Sequence, residues 1–128
     1  MRLLLDTHSI LWYAFGSSKL SSLAKRLIDD QANDNSLSIA SPWEVGIKVS
    51  SGKLELAKPV EAFFADQIRL LSLQLLPIKL AHIARVSSLP FHHRDPFDRM
   101  LVAQSLTENI PIVSADAALD AYGIVRHW

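Results

Sequence analysis

RLLLD, residues 2–6, is three leucines closed by a carboxylate. The run is too short for a helix and has no polar break, so it reads as a buried strand ending near Asp6. HSILWYAF (8–15) follows as a short helix that stops near Gly16. A buried strand running straight into a helix is the opening of an α/β chain, and the rest of the sequence repeats the alternation.

SSKLSSLAKRLIDDQAND (17–34) has apolar residues at 20, 23, 24, 27 and 28, the spacing of an amphipathic helix. SLSIA (36–40) reads as a second strand, and SPWEVGIKVSSGKL (41–54) as a helix entered at Ser-Pro and left near Gly52. KPVEAFFADQIRLLSL (58–73) is a helix, LQLLPI (73–78) a strand, and KLAHIARVSSL (79–89) a helix ending before Pro90. DPFDRMLVAQSLTEN (95–109) is a helix, IPIVS (110–114) a strand, ADAALDAYG (115–123) a helical turn and IVRHW (124–128) a last strand. Alternating strands and helices predict an α/β sandwich around a mostly parallel sheet, in one domain over residues 1–128.

The composition narrows the chemistry. Hydrophobic residues make up 49% of 128, enough for a core and too many for disorder. Cysteine is absent, which removes disulfides, thiolate metal sites and a thiol nucleophile and suits a cytoplasmic setting. Thirteen basic residues balance thirteen acidic ones, so a nucleic-acid ligand would need a local patch or a bound cation. The apolar run in MRLLLDTH is too short for a secretory segment, and no stretch reaches the roughly 20 apolar residues of a membrane span.

In a parallel sheet, ligands bind beyond the carboxyl ends of the strands. Asp6 ends the first strand, Glu44 opens the helix after the second, and Asp116 lies just past IPIV. Asp98 also opens a helix, although no strand directly precedes it. Capping accounts for each acid taken singly. In SPWE, Ser41 is the expected N-cap with Glu44 completing a capping box; in DPFD, Asp95 is the expected N-cap with Asp98 at the third helical position. Glu44 and Lys48 form an ordinary i,i+4 pair. Capping does not account for the apolar residues that crowd three of these acids. Asp6 follows three leucines, Glu44 lies between Trp43 and Val45, and Asp98 adjoins Phe97. Clustered, partly buried carboxylates repel one another, and a cation is the usual reason to keep them. Oxygen ligands suit Mg²⁺ or Mn²⁺, which activate water for phosphodiester cleavage.

The five histidines have no metal-ligand spacing, and His92, His93 and Arg94 read as a solvated loop, with a basic lip beside the acids as the alternative. His82 reads as a packed or edge histidine. Trp12, Trp43 and Trp128 read as core, with stacking on a base as the alternative. The serines lack a nucleophile-elbow context, and no glycine-rich phosphate loop is present.

LLLDTHSILW, SPWEVGIK, GKLEL, HHRDPFDRMLVAQS and IVSAD, in this order, resemble the PIN-domain family, and most nearly the VapC-type toxins of bacterial toxin–antitoxin pairs. The resemblance runs to the closing YGIVRHW. It implies a three-layer α/β/α sandwich with a parallel sheet of four or five strands, and metal-dependent endoribonuclease activity with Mg²⁺ or Mn²⁺. The family's four acids fall on Asp6, Glu44, Asp98 and Asp116, and a frequent hydroxyl position falls on Ser114. The third acid directly precedes the helix DRMLVA, which selects Asp98 over Asp95. Ser105 replaces a frequent alanine and VSAD a commoner Thr-x-Asp, and neither departure removes a carboxylate. Lys48, Arg94 and Arg99 are the nearest basic candidates for an RNA backbone. A homodimer and an antitoxin partner are also implied. The amphipathic segments KLSSLAKRLI (19–28) and VEAFFADQIRLL (60–71) offer apolar faces for a dimer.

Two other readings share the architecture. A receiver-type signalling domain also binds Mg²⁺ at strand ends, but it needs paired acids after the first strand, and LLLDTH has one. A catalytically silent PIN-fold binding module would not need all four acids.

Overall fold

The computed structural model describes all 128 residues. Five strands, β1 (Arg2–Leu5), β2 (Asp34–Ser38), β3 (Gln74–Leu76), β4 (Ile112–Val113) and β5 (Arg126–His127), form one sheet in the order β3-β2-β1-β4-β5. Every adjacent pair is parallel. The helices are α1 (Thr7–Phe15), α2 (Ser22–Asp29), α3 (Ala40–Ser50), α4 (Val60–Leu70), α5 (Leu80–Ser88) and α6 (Pro96–Glu108), with a 3-10 turn over Ala117–Tyr122. The α/β/α sandwich expected from the sequence is the fold observed.

RLLLD is the central strand, and its leucines have no solvent exposure. Side chains alternate across a strand, so Leu3 and Leu5 enter one core while Leu4 enters another. Leu3 and Leu5 pack with Ile10, Ala24, Ile28, Val45, Phe63 and Phe64 from α1 to α4. Leu4 packs with Leu101 of α6 and with Ile110 and Ile112. The register pairs Leu5 with Leu37 of β2 on one side and Val113 of β4 on the other, so β1 and β4 end level and β2 runs on only to Ser38.

Several boundaries move for local reasons. The helix read over 17–34 is only Ser22–Asp29: Ser21 Oγ accepts the Ala24 N–H at 3.0 Å and starts it. Asp30 then accepts the Ala32 N–H at 2.9 Å, and Asn33 Nδ2 donates to the Leu27 carbonyl at 3.0 Å. Such side chains compete with the helix for backbone groups and end it. The SPWE capping box does not form. α3 begins at Ala40 after Ile39, and the nearby backbone N–H of Ala40 goes to Ser38 Oγ at 3.1 Å. The final turn is 3-10 and not α. Trp43, read as core, is 62% exposed, because the inward face of α3 belongs to Ala40, Ser41, Glu44 and Val45. The segments 19–28 and 60–71 turn most of their apolar residues into the chain's own core, leaving Leu70 at 65% exposure, so they are not the broad free faces that the dimer expectation used.

Arg99 anchors the loop that leads into α6. It is 6% exposed. Its Nη1 donates to the Pro90 carbonyl at 2.8 Å and Tyr122 Oη at 3.2 Å, and its Nη2 to the Val86 and Leu89 carbonyls at 3.3 Å each. The guanidinium also lies 4.1 Å from the centre of the Phe91 ring. A planar, permanently charged fork fits acceptors spread over several directions; an ammonium does not. Arg99→Lys should therefore cost about 3 kcal/mol by stranding carbonyls in a dry site. Urea unfolding measures it, and an unchanged midpoint would show that the fork contributes nothing.

Candidate active site

Parallel pairing brings the acids to the carboxyl edge of the sheet. Asp6 follows β1 and caps α1: its Oδ1 accepts the Ser9 N–H at 2.7 Å, and the residue is buried. Its own N–H donates to the Val113 carbonyl at 3.1 Å, tying the end of β1 to the end of β4. Asp116 lies three residues past β4 and caps the 3-10 turn, with Oδ1 accepting the Ala118 N–H at 3.0 Å. Both are genuine caps. Each cap occupies one carboxylate oxygen, and Asp6, Asp98 and Asp116 line the same cavity of about 250 Å³, with His8, Trp12 and Ala115.

Glu44 is a buried acid with no capping role. Its Oε1 accepts the Thr7 hydroxyl at 2.7 Å, and its Oε2 accepts from Lys48 Nζ at 2.8 Å. Thr7 Oγ1 also lies 2.9 Å from Ser41 Oγ, so the "DTH" and "SPWE" segments meet through hydroxyls. Thr7 had no role in the sequence reading, and Ser41 had only that of an N-cap.

Asp98 stands one turn into α6. Asp95 takes the cap, accepting the Phe97 and Asp98 N–H groups at 2.8 and 3.1 Å. Burial pushes the Asp98 carboxyl up to about 7, with the charges of Asp95, Glu44 and Asp6 adding to the shift and His93 opposing it. His93 Nε2 lies 2.9 Å from Asp116 Oδ2 and 3.4 Å from Asp98 Oδ2. The atoms offered by His93, Asp98 and Asp116 lie within 4.8 Å of one another, close enough for one cation. Three carboxylates around one cavity, one of them resisting ionisation, are a donor set that a hard divalent ion fits. A larger cavity, about 580 Å³, lies at the amino end of β2, beside Asp29, Asp34 and Leu71 and remote from this cluster.

The PIN domain family model matches residues 3–125. The chain belongs to the PIN domain family. No curated protein matches the sequence. Among solved structures, VapBC2 from Rickettsia felis, bound to a DNA fragment from its promoter, aligns with a TM-score of 0.69 at 14% identity, covering 99% of this chain and 98% of the other. FitAcB from Neisseria gonorrhoeae aligns at 0.69 and 14% identity over 98% and 96%. VapBC-5 from Mycobacterium tuberculosis, of the VapBC toxin–antitoxin family, aligns at 0.61 and 14% identity over 98% of each chain. At that identity the likeness is one of fold.

Of the residues expected at the PIN site, Asp6, Asp98 and Asp116 come together, and Glu44 joins through Thr7. Ser114 is fully buried, and its Oγ accepts the Asp116 N–H at 3.1 Å, so it shapes the turn. Lys48 is bound to Glu44 and Arg94 is exposed beside the site. Arg99 does not reach it, because its guanidinium is committed to the loop carbonyls. His93, read as part of a solvated loop, is inside. Only its nearness to Asp95 and Asp98 in the sequence hinted at this.

The two aspartates of DPFD should behave differently in metal-free protein. Asparagine caps about as well as aspartate, so Asp95→Asn should change stability by only a few tenths of a kcal/mol. Asp98 holds its proton more tightly folded than unfolded, so it costs the wild type stability as pH rises from about 4 through about 7. Asp98→Asn should match wild type near pH 4 and be more stable at pH 8, by on the order of 3 kcal/mol. Paired melts at the two pH values test this; equal differences at both would overturn it.

Proposed function

We propose that this chain is a VapC-type toxin, a metal-dependent endoribonuclease that hydrolyses RNA phosphodiester bonds in the cytoplasm. The observation that carries the reading is the meeting of Asp6, Asp98 and Asp116 in one cavity, with Glu44 held behind it by the hydroxyl of Thr7, the residue next to Asp6. Family membership supports nuclease chemistry over signalling or silent binding.

Asp6, Asp98 and Asp116 would hold Mg²⁺ or Mn²⁺, with Glu44 in support. A divalent cation there supplies Lewis acidity, which makes a water easier to deprotonate and offsets negative charge building on the phosphodiester. The chain's residues do the rest. Caps on α1 and the 3-10 turn fix the directions of Asp6 and Asp116, so little reorganisation is needed when substrate arrives. The Thr7 hydroxyl and Lys48 hold Glu44, and Lys48 also places a positive charge at the rim for a phosphate. Arg94 is free to contact the RNA backbone; Ser114 acts by setting the turn that carries Asp116.

An antitoxin partner belongs to this reading and is supported by the toxin–antitoxin complexes to which the fold is similar. A homodimer belongs to the same reading and is supported by Ile39, Trp43 and Ile47, exposed at and along the start of α3. No helix is long and apolar enough to cross a membrane.

Purified chain should cleave RNA with Mg²⁺ or Mn²⁺ and stop with EDTA. Asp6→Asn and Asp98→Asn should each lower the rate by about 100-fold or more, roughly 3 kcal/mol of transition-state stabilisation. Cleavage that survives EDTA, or an Asp98→Asn variant as active as wild type, would overturn the reading. Light scattering at micromolar concentration should give the dimer mass, and a monomer mass would remove the homodimer.

A further inference from the structure

We propose that His93 is a positioning residue of the acid pocket: its Nε2–H is a fixed donor that holds the Asp116 carboxylate, and its ring is not a ligand of the cation. This rests on the metal-dependent reading above only for its consequence in catalysis. His93, Asp98 and Asp116 form a compact triad that by distance alone could share an ion. The other side of the ring decides against that.

The backbone N–H of Asp95 donates to His93 Nδ1 at 3.1 Å. Nδ1 must therefore carry a lone pair, and the proton of the imidazole sits on Nε2, the atom facing Asp116 and Asp98. For Nε2 to bind a metal the proton would have to move to Nδ1, where it would meet the Asp95 N–H head-on. Neither partner is free to turn away. Asp95 is held as the cap of α6 by the Phe97 and Asp98 N–H groups. The His93 N–H is held by Tyr122 Oη at 2.9 Å.

The chain builds the same device a second time, far from the acid cluster. Lys79 N–H donates to His82 Nδ1 at 3.0 Å, and His82 Nε2 lies 2.7 Å from Glu108 Oε1. There the outcome is a carboxylate pinned by a buried ring. At His93 the pinned carboxylate is Asp116, whose Oδ1 is already taken by the Ala118 N–H. With both oxygens held, Asp116 keeps one orientation toward the cavity. Imidazole is also a poor match for Mg²⁺, which prefers oxygen.

The test begins with the wild-type full chain, labelled with ¹⁵N at histidine and assigned with His93→Gln. Long-range ¹H–¹⁵N correlations distinguish an Nε2–H ring from an Nδ1–H ring, and should show Nε2–H for His93 with and without Mg²⁺. An Nδ1–H pattern, or loss of the Nε2 proton on adding Mg²⁺ or Mn²⁺, would overturn the proposal. The second arm is cleavage with Mg²⁺. His93→Ala should fall by about 10- to 100-fold, as removal of an outer partner does. His93→Gln, which keeps an N–H donor near the Nε2 position, should recover to within about threefold of wild type. Glutamine as impaired as alanine would overturn the donor role. If the wild type cleaves no RNA the nuclease reading fails, and the ring spectrum still decides the proton's position.

Discussion

Parallel pairing of β1 between β2 and β4 is the constraint from which the rest follows. Because both neighbours run the same way and end at or just past the level of Leu5, every connection after these strands turns over one edge. Residues from the start, middle and end of the chain are delivered there whatever their own preferences. The three leucines of β1 make that possible: a strand buried on both faces and paired on both sides is difficult to displace or shift in register. The core beneath offsets what the edge costs, since acids drawn together out of water lose hydration and repel.

The acids sort by how they are held. Asp6 and Asp116 are fixed by the backbone they cap, so their placement is a by-product of helix and turn starts. Glu44 is fixed by side chains alone, through Thr7 and Lys48. Asp98 is the least compensated, with burial and three like charges against it and one histidine in its favour. A site assembled this way is preorganised at its caps and strained at its centre. Such a division suits a cation, which relieves the strain without requiring the caps to move.

Much of this was legible in the sequence, and the failures have physical causes. RLLLD announced a buried strand because no other element accommodates three consecutive leucines at that length, and the strand ends placed Asp6 and Asp116. DPFD was read correctly because Pro96 fixes the first helical position. SPWE was misread because a serine before proline looks like a cap, whereas α3 starts one residue earlier, at Ala40, with no side-chain cap, and Ser38 Oγ only accepts the Ala40 N–H. Trp43 was misplaced because hydrophobicity says nothing about which face of a helix looks outward when Glu44 is the residue turned in. The roles of Arg99 and His93 were not legible for a common reason: part of what holds each is backbone of the segment before α6, and no residue type encodes where such carbonyls and N–H groups will point.

β4 and β5 are two residues each, while β1 and β2 are four and five. The sheet is therefore uneven in local cohesion, strong where Asp6 and Glu44 attach and thin where Asp116 attaches. Segments held by few hydrogen bonds open at lower free energy than the domain unfolds. The wall of the cavity that carries Asp116 is thus held less by its strands than by packing: Leu119 and Tyr122 lie against Val102 and Ala103, and Arg126 Nη1 donates to the Ser114 carbonyl at 3.0 Å. The placement of Asp116 therefore depends on how the tail packs as much as on the sheet it leaves.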